Sequence, residues 1–183
     1  MEGMEESSFL NPKKAITAAG LCEGQRVADF GAGSGFFTRA AARTVGPDGI
    51  VWAVDINPEL LPRIKNLSLA EGLANVEVVR GDTSLLGGSN LPENHFDFVI
   101  CSNLLFGIED KKNLIEEIKR VLKAGGKAIV IDWQGSYGGL GPRSDHIFTQ
   151  AAARDMFEAA GFAFLQTVPA GEYHWGMLMQ LER

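Results

Sequence analysis

The chain has 183 residues, 45% hydrophobic and 22% charged, with a formal net charge of −6. This length suits one well-buried domain rather than two, no apolar run approaches the roughly 20 residues of a membrane span, and the acidic balance disfavours nucleic acid as a partner. Cys22 and Cys101 form no CxxC pair or His/Cys cluster, so we predict neither a disulfide framework nor a metal site, and without a signal-peptide pattern we expect a cytoplasmic protein.

Short apolar runs typical of strands recur along the chain, separated by segments of helical periodicity. The predicted strands are residues 25–30, 50–55, 76–79, 96–101, 127–133, 162–168 and 173–181. Strands that alternate with helices predict an α/β fold with a three-layer, doubly wound (Rossmann-like) sheet. Because only the segment PAGE separates the last two strands, they are expected to form an antiparallel hairpin.

Apolar residues at helical spacing and local capping signals predict the helices. These are expected from residue 34 onward, from about 58 to 72, over 114–122 and over about 149–160. Asn57 is a candidate N-cap for the second helix, but Pro62 removes a backbone donor, so this helix starts later or kinks there. Gly125 and Gly126 are expected to end the third helix.

The segment VADFGAGSGFFT, residues 27–38, joins the first strand to a helix and carries three glycines at alternate positions. Backbone N–H groups at such a helix N-terminus form a ligand site at the carboxyl edge of the sheet. Asp55, at the end of the second strand, suits ribose hydroxyls, so an NAD-linked oxidoreductase is one interpretation. Two features oppose it: Phe36 stands where GxGxxG requires its third glycine, and Asp29 places a carboxylate beside the loop.

The Asp29 carboxylate would repel a diphosphate, since two like charges about 4 Å apart cost about 4 kcal/mol at an effective dielectric constant of about 20. A ligand with a cationic group is favoured there. S-adenosylmethionine carries an α-ammonium, a ribose and an adenine but no phosphate. Asp29, Asp55 and Asp82 supply acceptors at the ends of three successive predicted strands. We therefore predict S-adenosylmethionine as the cofactor and S-adenosylhomocysteine as its product.

These segments resemble the class I S-adenosylmethionine-dependent methyltransferases, in particular the UbiE-like (methyltransferase type 11/25) domain. The resemblance runs from about residue 11 to the end and rests on VADFGAGSG, VWAVDINPELL, GDTSLL, FDFVICSNLLF and RVLKAGGKAIVIDW in this order. It implies a seven-stranded sheet of order 3-2-1-4-5-7-6 with strand 7 antiparallel. The cofactor-binding residues that it implies are Asp29, Gly31, Gly33, Gly35, Asp55, Ile56, Asp82, Thr83 and Ser102.

The same resemblance implies a single methyltransferase domain over residues 1–183, with an N-terminal lid and helix segment over residues 1–20. Phe9 and Leu10 precede the helix cap Asn11. They either lie over the cofactor as a lid or pack on the helix as a hydrophobic staple.

Methyl transfer from a sulfonium is an in-line displacement, so alignment and exclusion of water matter most, and a base is required only for an acceptor protonated at neutral pH. The acceptor site is expected at the carboxyl ends of strands four and five, beside the start of strand seven. Predicted pocket residues are Asn103, Phe106, Trp133, Tyr137 and Tyr173. Predicted catalytic residues are Asp132, His174 and His146. The glycine-rich segment 135–142 is a candidate mobile cover over this pocket.

The sequence leaves the methyl acceptor open between a small molecule and a protein side chain. CSNL stands after the fourth strand in place of NPPY or DPPY, which opposes an amino-methyltransferase of adenine or glutamine, and two cysteines are too few for arsenite methylation. Methylation of a lipid quinone stays open. An NAD-linked oxidoreductase and a non-catalytic S-adenosylmethionine-binding module are the remaining alternatives, and the oligomeric state is undetermined.

Overall fold

The computed structural model describes residues 9–182, in which strands and helices alternate up to the final hairpin. The strands are β1 Arg26–Phe30, β2 Ile50–Asp55, β3 Val76–Arg80, β4 Phe96–Ser102, β5 Leu122–Trp133, β6 Phe162–Thr167 and β7 His174–Leu181. The helices are α1 Pro12–Ala18, α2 Phe36–Val45, α3 Leu60–Ala70, α4 Lys111–Val121 and α5 Gln150–Ala159. Two 3₁₀ turns lie at Leu105–Gly107 and Ser144–His146. Residues 1–8 of the predicted lid segment lie outside the described residues.

The strands form one sheet in the order β3-β2-β1-β4-β5-β7-β6. β1 to β5 pair in parallel, whereas β7 pairs antiparallel with both β5 and β6. The predicted order and the predicted hairpin are therefore confirmed. The chain reverses its direction of winding between β1 and β4, and in such sheets a crevice opens at the carboxyl ends of these two strands.

Alternation along the strands divides their side chains between two faces. The α1–α3 face carries Val27, Phe98 and Ile131, which pack against α1, α2 and α3. The α4–α5 face carries Phe30 and Met177, which pack against α4 and α5. All five side chains are fully buried, and each such burial contributes roughly 1.5–3 kcal/mol. Within residues 9–182, every helix falls short of the length and apolarity that a membrane span requires.

The start of α3 differs from the predicted N-cap at Asn57. The Oδ1 atom of Asn57 accepts a hydrogen bond from the N–H of Glu59 at 3.0 Å, so Asn57 closes a turn and the helix begins at Leu60. Pro62 then lies in the first helical turn, where a backbone N–H has no intrahelical partner. The helix therefore starts later, and Pro62 breaks none of its hydrogen bonds.

The prediction that Gly125 and Gly126 end a helix is wrong. α4 ends at Val121, and β5 follows directly. Leu122 pairs with Phe96 and Lys127 with Phe98, so an irregular stretch of β5 that contains both glycines lies between these pairs. Gly125 and Gly126, which the local sequence assigns to a helix end, therefore lie within a strand because β5 pairs with β4 on both sides of them.

Candidate active site

The glycine loop between β1 and α2 lies at the crevice. Gly31, Gly33 and Gly35 have φ angles of +65°, +55° and +75°, a left-handed conformation that favours glycine. At Gly31 a Cβ atom would lie 2.8 Å from Cδ1 of Leu104. The loop therefore requires glycine for its turns, and at Gly31 also for close packing.

Asp29 places a buried carboxylate beside this loop. It is 2% exposed, and Oγ1 of Thr38 donates a hydrogen bond to its Oδ2 at 2.5 Å. Burial raises the pKa of Asp29 to about 7, against the lowering effect of the Thr38 hydrogen bond and with a further increase from the negative charge of Asp55. Among residues 9–182 no basic side chain forms an ion pair with it. A cation beside Asp29 would therefore stabilise its charged form.

Asp55 joins the glycine loop to the turn after β2. Its Oδ2 accepts the N–H of Gly33 and its Oδ1 accepts the N–H of Asn57, both at 2.9 Å. A carboxylate oxygen accepts more than one hydrogen bond, so both atoms retain capacity for ligand hydroxyls. Asp55 thus shapes the loop and presents acceptors at the end of β2.

The crevice consists of two compartments that meet at Gly31. The β1 compartment is a cavity of about 610 Å³ whose lining includes Phe9, Leu10, Asp29, Gly33, Ser102 and Asn103. The β2–β3 compartment is a cavity of about 360 Å³ whose lining includes Asp55, Ile56, Asp82, Thr83, Leu104 and Ile108. Every predicted cofactor residue except Gly35 lines one of them; Gly35 stands at the N-terminus of α2. An elongated ligand with a cationic end and a nucleoside end suits this arrangement.

Asn103 follows β4 and borders the β1 compartment. Its backbone is left-handed, with φ +54°, and its N–H donates to the carbonyl oxygen of Ile131 at 2.9 Å. Its Oδ1 atom is buried and has no hydrogen-bond partner within residues 9–182. Buried acceptors are normally satisfied, so this amide suits a donor on a bound molecule.

Aromatic side chains cluster beside the β1 compartment. The ring of Tyr173 lies 5.5 Å from that of Phe9 and 4.9 Å from that of Tyr137, between centroids. Phe9 and Leu10 both line the cavity; Phe9 is 59% exposed, and Leu10 also packs against the core of the α1–α3 face. The N-terminal segment, the 135–142 segment and the connection before β7 therefore meet here.

His174 is buried at the start of β7. Its ring lies 4.3 Å from that of Trp133, and neither ring nitrogen has a hydrogen-bond partner among the described residues. Burial lowers the pKa of His174, so the imidazole is neutral at pH 7. Its pairing with Trp133 and the alternation along each strand place it on the α1–α3 face, as they do Asp29 and Ser102.

Asp132 lies on the opposite face of the sheet. Its carboxylate accepts the N–H of Trp133 at 2.7 Å and that of Phe106 at 3.3 Å. Burial raises the pKa of Asp132, and backbone N–H groups, including those of residues 104–106, oppose this increase. Asp132 thus caps the 3₁₀ turn after β4. Neither Asp132 nor Phe106 appears in the lining of the two compartments.

His146 is exposed in the second 3₁₀ turn and lines neither compartment. The structure therefore brings His174 together with Trp133 and places Tyr137 against Tyr173, with Asp132 on the other face of the sheet. Like Asp132 and His146, these four residues are absent from the lining of both compartments. Sequence reasoning missed Thr38, the fully buried partner of Asp29. The sequence did contain a signal for this role, because Thr38 is a polar residue at a position of α2 where the helical periodicity predicts an apolar one.

The sheet order, the glycine loop and the aspartates at the carboxyl ends of β1, β2 and β3 define a class I S-adenosylmethionine-dependent methyltransferase domain. A family model described as methyltransferase domain matches residues 21–167, and the chain belongs to this family. Its sequence is UbiE-like, and S-adenosylmethionine is the cofactor. The two compartments fit this cofactor. One is lined by the Asp29 carboxylate and the Asn103 Oδ1 atom, which have no ion-pair and no hydrogen-bond partner, respectively, among residues 9–182, and the other by acceptors beside apolar walls.

Similar proteins include the ubiquinone/menaquinone biosynthesis C-methyltransferase UbiE of Ectopseudomonas mendocina, 36% identical over 119 residues, which cover 64% of this chain and 45% of the relative. UbiE of Pseudomonas fluorescens is 32% identical over 152 residues, covering 82% and 54%. The chain thus spans about half the length of these curated relatives. The crystal structure of a SAM dependent methyltransferase from Aquifex aeolicus matches with a TM-score of 0.84 at 28% identity, covering 94% of this chain and 90% of that one.

Proposed function

We propose that this chain transfers a methyl group from S-adenosylmethionine to a nucleophilic atom of a small molecule or a protein side chain. The observation that carries the proposal is Asp29, a buried carboxylate that lines the β1 compartment without an ion-pair partner in residues 9–182. Such a group favours a cationic ligand and disfavours a diphosphate. The NAD-linked alternative is disfavoured for the same reason.

The bound cofactor supplies an electrophilic methyl group on a sulfonium centre. We assign its amino-acid end to the β1 compartment, where Asp29 and Ser102 face the glycine loop. We assign its nucleoside to the β2–β3 compartment, where Asp55 and Asp82 offer acceptors and Ile56 offers an apolar surface. Within residues 9–182, no lysine or arginine lines either compartment, which favours a ligand without phosphate groups.

We assign the acceptor to the side of the β1 compartment that Phe9, Asn103 and the aromatic cluster border. Rings at this position exclude water from the reacting atoms. For an acceptor that is protonated at neutral pH, His174 is the proposed base. Its neutral imidazole takes the proton from the acceptor atom, which keeps the electron pair and becomes the nucleophile. We assign Asp132 to positioning of the 3₁₀ turn, and His146 stays a weaker candidate because it is exposed.

Incubation of a cell extract with the protein and S-adenosylmethionine labelled in its methyl group tests the proposal. We expect one labelled product, which identifies the acceptor, and no product with Asp29→Asn. The relatives' names make a quinone precursor one pure compound to include. Cofactor binding without any labelled product would instead favour a non-catalytic binding module, and binding of NADH alone would favour an oxidoreductase. The cytoplasmic location is part of the proposal, and fractionation of cells tests it.

A further inference from the structure

A buried acidic side chain on α4 holds the loop that forms one wall of the β2–β3 compartment. Glu117 is fully buried. Its Oε2 accepts the N–H of Gly87 at 2.6 Å, and its Oε1 accepts the N–H of Ser89 at 3.2 Å and also the hydroxyl of Ser89. Arg120 donates to these two oxygens at 2.8 and 2.7 Å. The Glu117 carboxylate therefore binds both the backbone of the loop and the guanidinium of Arg120.

The loop, residues 81–91, folds back tightly on itself. The N–H of Asp82 donates to the carbonyl oxygen of Gly88 at 2.8 Å. A Cβ atom at Gly81 would lie 2.5 Å from the carbonyl oxygen of Ser89, so the two ends of the loop are in direct contact. A displacement at residues 87–89 would therefore move Asp82 and its neighbour Thr83.

Asp82 and Thr83 line the β2–β3 compartment, whereas Glu117 does not. The N–H of Gly81 also donates to the carbonyl oxygen of Asp55 at 3.1 Å, which connects the loop to the end of β2. Glu117 thus acts on the compartment through the backbone of the loop. Burial raises the pKa of Glu117, but hydrogen bonds from Arg120, Ser89 and Gly87 outweigh it, and the pKa lies below its usual range.

An ion pair with a fully buried carboxylate is weak evidence of a role in stability alone, because desolvation of the buried charge offsets the attraction and apolar residues of similar volume stabilise as well. Its value lies in fixed geometry: the partners of Glu117 outside α4, Gly87 and Ser89, belong to the loop whose residues 81–84 line the compartment. We propose that Glu117 is a positioning residue for the nucleoside half of the cofactor: with Ser89 it fixes the loop that carries Asp82 and Thr83. This inference rests on the proposed assignment of the nucleoside to that compartment.

Calorimetric titration with S-adenosylhomocysteine and with adenosine tests the inference in the wild type, Glu117→Gln and Ser89→Ala. Both variants are expected to bind both ligands about tenfold more weakly or worse, because even one or two loop residues that become disordered must be ordered again on binding. Hydrogen exchange at residues 82–90 should rise in parallel. Ser89→Ala keeps the Glu117–Arg120 pair, so it tests the inference even where Glu117→Gln folds poorly.

Ile118→Val, a change at the next buried position of α4, is the matched control and should leave both affinities unchanged. Asp29→Asn, in the other compartment, should weaken S-adenosylhomocysteine but not adenosine. Unchanged affinities in Glu117→Gln and Ser89→Ala would overturn the inference, and so would losses that match the unfolded fraction of each variant. A wild type that binds neither ligand would refute the proposed function itself, and this inference with it.

Discussion

The hydroxyl of Thr38 donates a hydrogen bond to Oδ2 of Asp29 at 2.5 Å, and within residues 9–182 it is the sole side-chain partner of that carboxylate. One neutral donor does not compensate a fully desolvated charge, which is why the pKa of Asp29 rises to about 7. Perturbed groups of this kind concentrate at ligand sites. Asp29 therefore lowers the stability of the free protein while it prepares the site for a cation.

Asp29→Asn is expected to stabilise the free protein at neutral and alkaline pH. The pKa of Asp29 is about 7 in the folded state against 3.8 for the unperturbed group, so its contribution to stability falls as the pH rises from about 4 to about 7. Three pH units correspond to about 4 kcal/mol, an upper bound for the gain. Denaturant unfolding at about pH 5 and about pH 8 measures it, with the exposed Asp48→Asn as control. Equal stabilities of variant and wild type at the higher pH would contradict the claim that the charged form of Asp29 destabilises the folded protein.

Affinity for S-adenosylhomocysteine should depend on pH through the same group. Below about pH 7 the free protein carries a protonated Asp29, and a proton must leave before the carboxylate receives the ligand's ammonium. Binding should therefore weaken by up to about tenfold for each pH unit below 7 and level off above it. Calorimetric titrations across this range, in buffers of different ionisation enthalpy, measure the affinity and the proton release. Asp29→Asn should show neither dependence, and a flat wild-type profile would refute the coupling.

The strands could be predicted because each is a local apolar run, and their order in the sheet because the resemblance to the class I methyltransferases implies it. The relative placement of the candidate catalytic residues Asp132 and His174 could not be predicted. Asp132 and His174 both lie near strand ends, but alternation on β5 and the β5–β7 register place them on opposite faces. The boundary between α4 and β5 was also inaccessible, because the pairing of Leu122 with Phe96 outweighs the local signal of Gly125. Both outcomes depend on tertiary pairing, which a local pattern does not contain.

Asp55→Ala should weaken S-adenosylhomocysteine by about 1 to 3 kcal/mol through lost charge-assisted hydrogen bonds. The substitution also frees the N–H of Gly33, so a ribose contact must be separated from a change in the loop. The 2′-deoxy analogue of the ligand achieves this. It should bind the wild type more weakly than the parent ligand, and this difference should shrink in Asp55→Ala. An equal difference in both proteins would assign Asp55 to the loop alone.

Gly31→Ala should reduce the affinity for S-adenosylhomocysteine in addition to lowering the free energy of unfolding. A Cβ atom there would meet Leu104, which lines the β2–β3 compartment, and the φ angle of +65° adds backbone strain. Gly72→Ala is a matched control, since Gly72 has a φ angle of +75° and open space around it. Both variants should lose roughly 1–2 kcal/mol of stability from the strain, but only Gly31→Ala should bind the ligand more weakly. If Gly31→Ala and Gly72→Ala bound S-adenosylhomocysteine with equal affinity, the loop would not approach the ligand at Gly31.

His174→Gln should lower kcat about 10² to 10⁴-fold with the identified acceptor, because the proposed proton transfer loses its base. Affinity for S-adenosylhomocysteine should stay near the wild-type value, since His174 is absent from the lining of both compartments to which the cofactor is assigned. At saturating cofactor, kcat should fall as the pH drops through the pKa of His174, which burial places below 6.5, and the variant should lack this acidic limb. His95→Gln, at the opposite edge of the sheet, is the matched control. A retained acidic limb, or a loss of turnover confined to His146→Gln, would assign the base elsewhere.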